Sequence, residues 1–164
     1  MSEFFHPKLQ SVEALENGVL RTGWSTGEVL NVDVRPKLKK LKSLTHLLEP
    51  KLFATVHVAE WGNGIEWQDS ELGADNVYAW AKEQAGAVSH EMFDGWMRRN
   101  GLSLSAVAEA LGISRRMASY YRTAHKVIPR SIWLACLGWE ATKPNPQTLP
   151  RALPTVRQYA LAHA

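Results

Sequence analysis

The hydrophobic period of this chain changes near Gly86, and that change limits the folds open to it. Before Gly86, runs of alternating apolar and polar residues are interleaved with helical stretches; after it the alternation disappears and apolar residues recur at three- and four-residue spacing. A period of two buries one face of a strand and a period near 3.6 buries one face of a helix, so the two parts call for different layers. Charge divides at the same place. Residues 1–86 hold nine Lys and Arg against twelve Asp and Glu, a net of −3, whereas residues 87–164 hold ten against four, a net of +6. The expected class is α+β: a small α+β domain of unassigned role over residues 1–86, an all-α bundle over 87–142, and a Pro-rich tail over 143–164 carrying a short helix.

Within the first part, Leu9 to Leu15 alternates loosely, Asn17-Gly18 signals a two-residue hairpin, and Val19 to Trp24 follows as a second strand. Ser25-Thr26-Gly27 turns the chain into Val29 to Val34, completing a three-stranded meander. Leu38, Leu41, Leu44 and Leu48 then share one helical face, with Lys37, Lys39, Lys40 and Lys42 on the solvated side, and this predicts one amphipathic helix from Pro36 to Glu49-Pro50. Phe53 to Ala59 reads as a strand, Gly62-Asn63-Gly64 as a turn, and Ile65-Glu66-Trp67 as the returning strand of a second hairpin. Asp75 to Ala85 forms a connecting helix.

In the second part, Met92, Phe93, Trp96 and Met97 lie on one helical face that ends at Asn100-Gly101. Ser103 caps a helix with Leu104, Val107, Ala108 and Leu111 as its stripe, Gly112 breaks it, and Ser114 caps a second helix over Arg115 to Ala124. Ala108 and Ala118 are small where two such helices cross, and Ile113 fills the space under the turn. Met117, Ala118 and Tyr121 point inward, which turns Arg115, Arg116, Ser119 and Thr123 outward with Tyr120 and Arg122 beside them. No Asp or Glu occurs from Leu111 through Trp139, a stretch holding five cations. A short polar, basic helix of this kind suits the DNA major groove, where arginine reads guanine through paired hydrogen bonds. Arg115, Arg116, Ser119 and Tyr120 are the candidates for base contact; Arg122, Thr123, His125, Lys126 and Arg130 are the candidates for phosphate contact, which gives affinity without sequence information. Pro129 opens a last helix that is apolar nearly all round, from Ile132 to Trp139, with Cys136 as a buried structural thiol.

Ser103 to Ala141, with "AEALGISRRMASYYR" and "IPRSIWLACLGWEA", resembles the lambda-repressor-like helix-turn-helix family, bundles of about four or five helices that bind DNA. Where that family often carries a glutamine and a glutamate, this chain has Leu104 and His125. Leu9 to Tyr78, with "GVLRTGWSTGEVLNVDV", "LFATVHVAEWGNGIEW" and "DNVY", is similar to a small α+β family known as domain of unknown function 2442. Together the resemblances imply a transcriptional regulator of prokaryotic type, with an antitoxin-like interaction module as the alternative.

Other classes are disfavoured. The chain has no phosphate-loop, dinucleotide-turn, HExxH or CxxC signature, and its six histidines are too scattered in sequence to form a local ligand pair. Neither a cofactor, a metal nor an enzymatic activity is expected. Asp33, Glu60, Glu66 and Asp69 could line a pocket with Trp61 and Trp67, which keeps a small-ligand sensor or hydrolase in view as the lesser reading. No run reaches the roughly 18 apolar residues of a membrane span, and a single cysteine suits a reducing compartment, so a cytoplasmic location is expected. The expected partners are double-stranded DNA, a second copy of the chain in a homodimer, and a protein or small ligand at the N-terminal domain.

Overall fold

The computed structural model describes residues 5–142 together with Arg157 and Ala160. Those two positions apart, the expected Pro-rich tail with its short helix lies outside the described residues. The fold is α+β. Strands β1 (Leu9–Ala14), β2 (Val19–Trp24) and β3 (Val29–Asp33) form an antiparallel meander in that order, with Val12 opposite Thr22 and Leu20 opposite Val32. Asn17 and Gly18 both take positive φ, at 59° and 71°, the handedness that lets a tight turn follow the twist of its strands. Thr22 is fully buried on β2 without an orphaned group, because its hydroxyl donates to Leu30 O at 2.9 Å and accepts from Trp24 Nε1 at 2.9 Å.

The single helix expected from Pro36 to Pro50 is broken. Helix α1 spans Arg35–Lys40, Leu41 is extended (φ −100°, ψ 108°), a 3-10 turn covers Lys42–Leu48, and α2 spans Pro50–Phe53. A continuous helix would align Leu38, Leu41, Leu44 and Leu48; the break instead buries Leu38, Leu44 and Leu47 and leaves Leu41 48% exposed. A straight helix over these residues would run about 20 Å, whereas the broken segment wraps the small core. Packing here outweighs helical continuity. Pro50, expected only as a stop, also starts α2: Glu49 caps it by accepting from the Lys51 and Leu52 amides, and the proline ring occupies the first turn. Consequently Phe53 to Ala59 is not one strand. Only β4 (His57–Val58) is extended, pairing with β5 (Gly64–Trp67), and a third strand, β6 (Ser70–Gly73), which the alternation did not reveal, pairs with β5 and brings Leu72 opposite Ile65. Gly62 is needed in the connecting turn, since its φ is +67° and a Cβ would collide with the Leu9 carbonyl.

Helix α3 (Ala74–Gln84) covers both sheets with Ala74, Val77, Tyr78 and Ala81. Glu28 pins it: Tyr78 Oη donates to one carboxylate oxygen at 2.7 Å and Lys82 Nζ to the other at 3.0 Å. Burial by itself would raise the Glu28 carboxyl, yet these hydrogen bonds and the Lys82 charge outweigh it and hold the carboxyl below its ordinary value. Helices α4 (His90–Arg99), α5 (Leu104–Leu111), α6 (Arg115–Arg122) and α7 (Arg130–Thr142) surround a second core of Phe93, Trp96, Met97, Val107, Ala118 and Tyr121. Cys136 is completely buried there, and burial pushes its thiol up to about 12. Among the described residues no helix is long and apolar enough to cross a membrane.

His90 lies where the two cores meet, 8% exposed, in ring contact with Phe5 and Tyr78, and its Nδ1 has no hydrogen-bond partner among the described residues. Burial lowers its pKa from 6.5 to about 4 against the pull of Asp75 and Asp94. The folded state therefore holds His90 neutral while the unfolded chain protonates it, so stability is full above pH 6.5 and declines as pH falls toward about 4. The slope due to this residue is up to roughly 1.4 kcal/mol per pH unit. Urea unfolding across this range should show that decline, and His90→Phe should remove this residue's share of it.

Candidate nucleic-acid interface

The pair formed by α5 and α6 is built from local signals. Ser103 Oγ accepts from the Ala106 amide at 3.1 Å and Ser114 Oγ from the Met117 amide at 3.0 Å, so each helix starts at a side-chain cap. Gly112 ends α5 in the left-handed conformation (φ 66°, ψ 34°) with its amide on Ala108 O. Val107 and Ala118 are fully buried where the helices pack, and Leu111, Ile113 and Met117 are half-buried around them.

The expected site residues divide. Arg115 and Arg116 are exposed in the first turn of α6, and Ser119 and Tyr120 are half-exposed further along it. Arg116 Nε donates to Tyr120 Oη at 2.6 Å, and its guanidinium lies 5.3 Å from the centre of the Tyr120 ring. Lys126 and Arg130 are exposed beyond the helix. Among the described residues Arg115, Arg116, Lys126 and Arg130 make no ion pair.

Two of the expected phosphate contacts are corrected by the packing. Helix α6 ends at Arg122 rather than continuing to Ala124, and the last turn folds inward. Thr123 is 4% exposed, its hydroxyl donating to Ser119 O at 2.8 Å, so its side chain faces the protein. Arg122 is half-buried and joined to Asp94 of α4 at 2.7 Å; Asp94 also takes Arg98 at 2.7 Å. Arg122 thus fastens α6 to α4. Arg99 makes the equivalent connection to α7 through both oxygens of Glu140, at 2.8 and 3.0 Å.

His125 occupies a place that local spacing did not reveal. Its ring is near-parallel to Tyr120 (centroids 5.3 Å, 18°) and to His6 (4.0 Å, 24°), and Thr123 Oγ1 lies 2.7 Å from its Nδ1. The His6 amide donates to Thr123 O at 2.9 Å, which brings the N-terminal segment against the end of α6. Ala124, with φ 61°, is buried against the N-terminal core. A signal for this contact existed only as two separate facts, a Phe-His pair ahead of β1 and a His after α6.

Three of the carboxylates expected to line a pocket with the tryptophans are engaged by separate basic partners. Asp33 pairs with Arg35 at 2.7 Å, Glu66 lies 3.6 Å from His57, and Asp69 lies 3.0 Å from His46. Trp67 is buried with Nε1 on Phe53 O, while Trp61 is 79% exposed. A cleft of about 450 Å³ lies instead between the two cores, lined by Phe5, Asp75, His90, Glu91, Asp94 and Arg122 among others.

An α+β unit is followed by a helical unit, and residues 9–83, within the first, match the family described as protein of unknown function DUF2442. Over 94% of its length and the whole of the other chain, the protein is 67% identical to a protein from Nitrosomonas europaea whose crystal structure is described as that of a "putative DNA binding protein", with a TM-score of 0.84. The chain belongs to the same family as that protein. Comparison with curated proteins gives no match.

Gly112 provides a test of the turn between α5 and α6. A Cβ there would meet open space, so Gly112→Ala adds backbone strain without a collision. The expected cost is about 1–2 kcal/mol, measured as a lower urea midpoint with an unchanged slope.

Proposed function

We propose that the protein is a sequence-specific DNA-binding regulator of transcription, not an enzyme, that lays α6 in the major groove as the second helix of a lambda-repressor-like helix-turn-helix. The observation that carries this reading is the first turn of α6. Arg115 and Arg116 sit at the positive end of the helix dipole, where cations are unfavourable by about 0.3–1 kcal/mol each, and both are exposed without an ion pair among the described residues. A phosphate backbone offsets that cost, since helix N-termini attract anions. At eight residues α6 is about 12 Å long, the width of the major groove. The description of the Nitrosomonas europaea relative supports the same reading.

In this arrangement Arg115, Arg116, Ser119 and Tyr120 face bases, while Lys126, Arg130 and His125 face phosphates. One such helix reads few base pairs, so the protein binds as a homodimer on paired half-sites. The exposed Leu134 and Leu137 of α7, at 55% and 42%, supply an apolar face for that pairing. The N-terminal domain takes an effector or a partner protein, in a cytoplasmic setting. An antitoxin-like role is favoured by one observation: Trp61 holds a strained positive φ of 61° with its ring 79% in solvent, as a protein-binding anchor would.

In vitro selection of bound duplexes followed by anisotropy titration tests the reading. Arg115→Ala and Arg116→Ala should each cost about 1–3 kcal/mol on the selected sequence and relax its preference. Lys126→Ala should weaken all sequences alike and reduce the salt slope by about one. No binding at low salt, or wild-type binding by both arginine variants, would sink it.

A further inference from the structure

The hydrogen atoms around His125 can be counted. The Thr123 hydroxyl has one hydrogen, and it is directed to Ser119 O at 2.8 Å. The contact of 2.7 Å between Thr123 Oγ1 and His125 Nδ1 therefore needs its hydrogen from the imidazole, which makes Nδ1 the donor. In the neutral ring Nε2 is then a bare acceptor. A bare acceptor repels a phosphate oxygen, and only protonation turns it into a donor.

Among the described residues, the surroundings supply no anion for such a proton. Tyr120 faces the ring, with Arg116 on its hydroxyl; Lys126 follows in sequence; and His6 is stacked at 4.0 Å. Asp94, the acidic residue tied to the end of α6, is engaged by Arg98 and Arg122. Among the described residues neither His6 nor His125 makes an ion pair, and Leu111 through Trp139 contain no Asp or Glu. A positive charge on the stacked His6 ring would disfavour one on His125 at this distance.

We propose that the His6–His125 stack is a proton-dependent phosphate site, through which the N-terminal segment joins the nucleic-acid interface and DNA binding takes up one proton. This rests on the DNA-binding reading of α6 and deepens it. Burial and then the nearby His6 lower the His125 pKa, so the free protein holds the ring neutral near pH 7, and a bound phosphate reverses that preference. DNA affinity rises as pH falls. His6 acts as a positioning residue: its amide bond to Thr123 O and its ring contact hold His125 at the end of α6.

The test uses the full chain and a mixed-sequence duplex at low salt, because phosphate contacts do not depend on sequence. Wild-type affinity should be about tenfold tighter near pH 6 than near pH 8. His125→Phe, which keeps an aromatic ring without a titrating nitrogen, should flatten the profile. His6→Phe should retain the response but displace it to higher pH, since the repelling ring is gone. His46→Gln, remote on the N-terminal unit, should leave the wild-type profile intact. Nitrogen NMR of the free wild-type protein should show the Nδ1–H tautomer at His125, a readout independent of both DNA and the variants' folding. A wild-type slope in His125→Phe, wild-type binding that is flat in pH, or an Nε2–H tautomer overturns this inference alone. Absence of binding at every pH overturns the DNA reading, and this inference with it.

Discussion

The contact of Phe5 and His6 with the end of α6 is the constraint through which the two cores become one molecule. Phe5 fits among Trp24, Tyr78 and His90, with ring centroids 6.4, 5.6 and 4.9 Å away, while the next residue bonds Thr123 through its amide and stacks on His125. One side of this contact is anchored in the sheets and the other in the helices. It also settles how α6 terminates. Ala124 takes a positive φ that disfavours a side chain by about 1–2 kcal/mol, and the burial of its methyl group returns only about 0.8 kcal/mol. The conformation therefore depends on the hydrogen bonds and rings around it.

The electrostatics of the helical unit follow from which acids are already engaged. Asp94 takes Arg98 within α4 and Arg122 from α6, and Glu140 takes Arg99, so Arg99 and Arg122 hold helices together. Among the described residues of α4 to α7 and their connections, the cations left unpaired by internal carboxylates lie at the start of α6 and just beyond its end. A basic net charge over residues 87–164 does not separate these two uses. What separates them is the position of Asp94 on the face of α4 that meets α6.

Much of the fold was legible because its signals are local. Asn17-Gly18, Ser103, Gly112 and Ser114 act through their own backbone and the next few residues, and each does what its chemistry implies. The failures occurred where a local pattern served two structures equally well. Leu38, Leu41, Leu44 and Leu48 fit one helix, yet the same chain bends at Leu41 to bury Leu47, because a small curved core rewards wrapping over length. Strand β6 escaped notice because a four-residue strand is specified by its neighbour β5 more than by its own alternation.

The sequence alone determined the β1–β3 meander, the division of charge, the capped helices around Gly112 and the exposed Arg115 and Arg116, since the structural signals among these depend on residues within a turn or two of one another. Only the tertiary structure decided that Arg122 fastens α6 to α4, that Thr123 faces inward, and that His6 lies on His125. These contacts join residues remote in the chain, and neither the period of a helix nor that of a strand carries information over such distances. They exist because two cores must close against each other, and the groups at that junction are oriented by the closure.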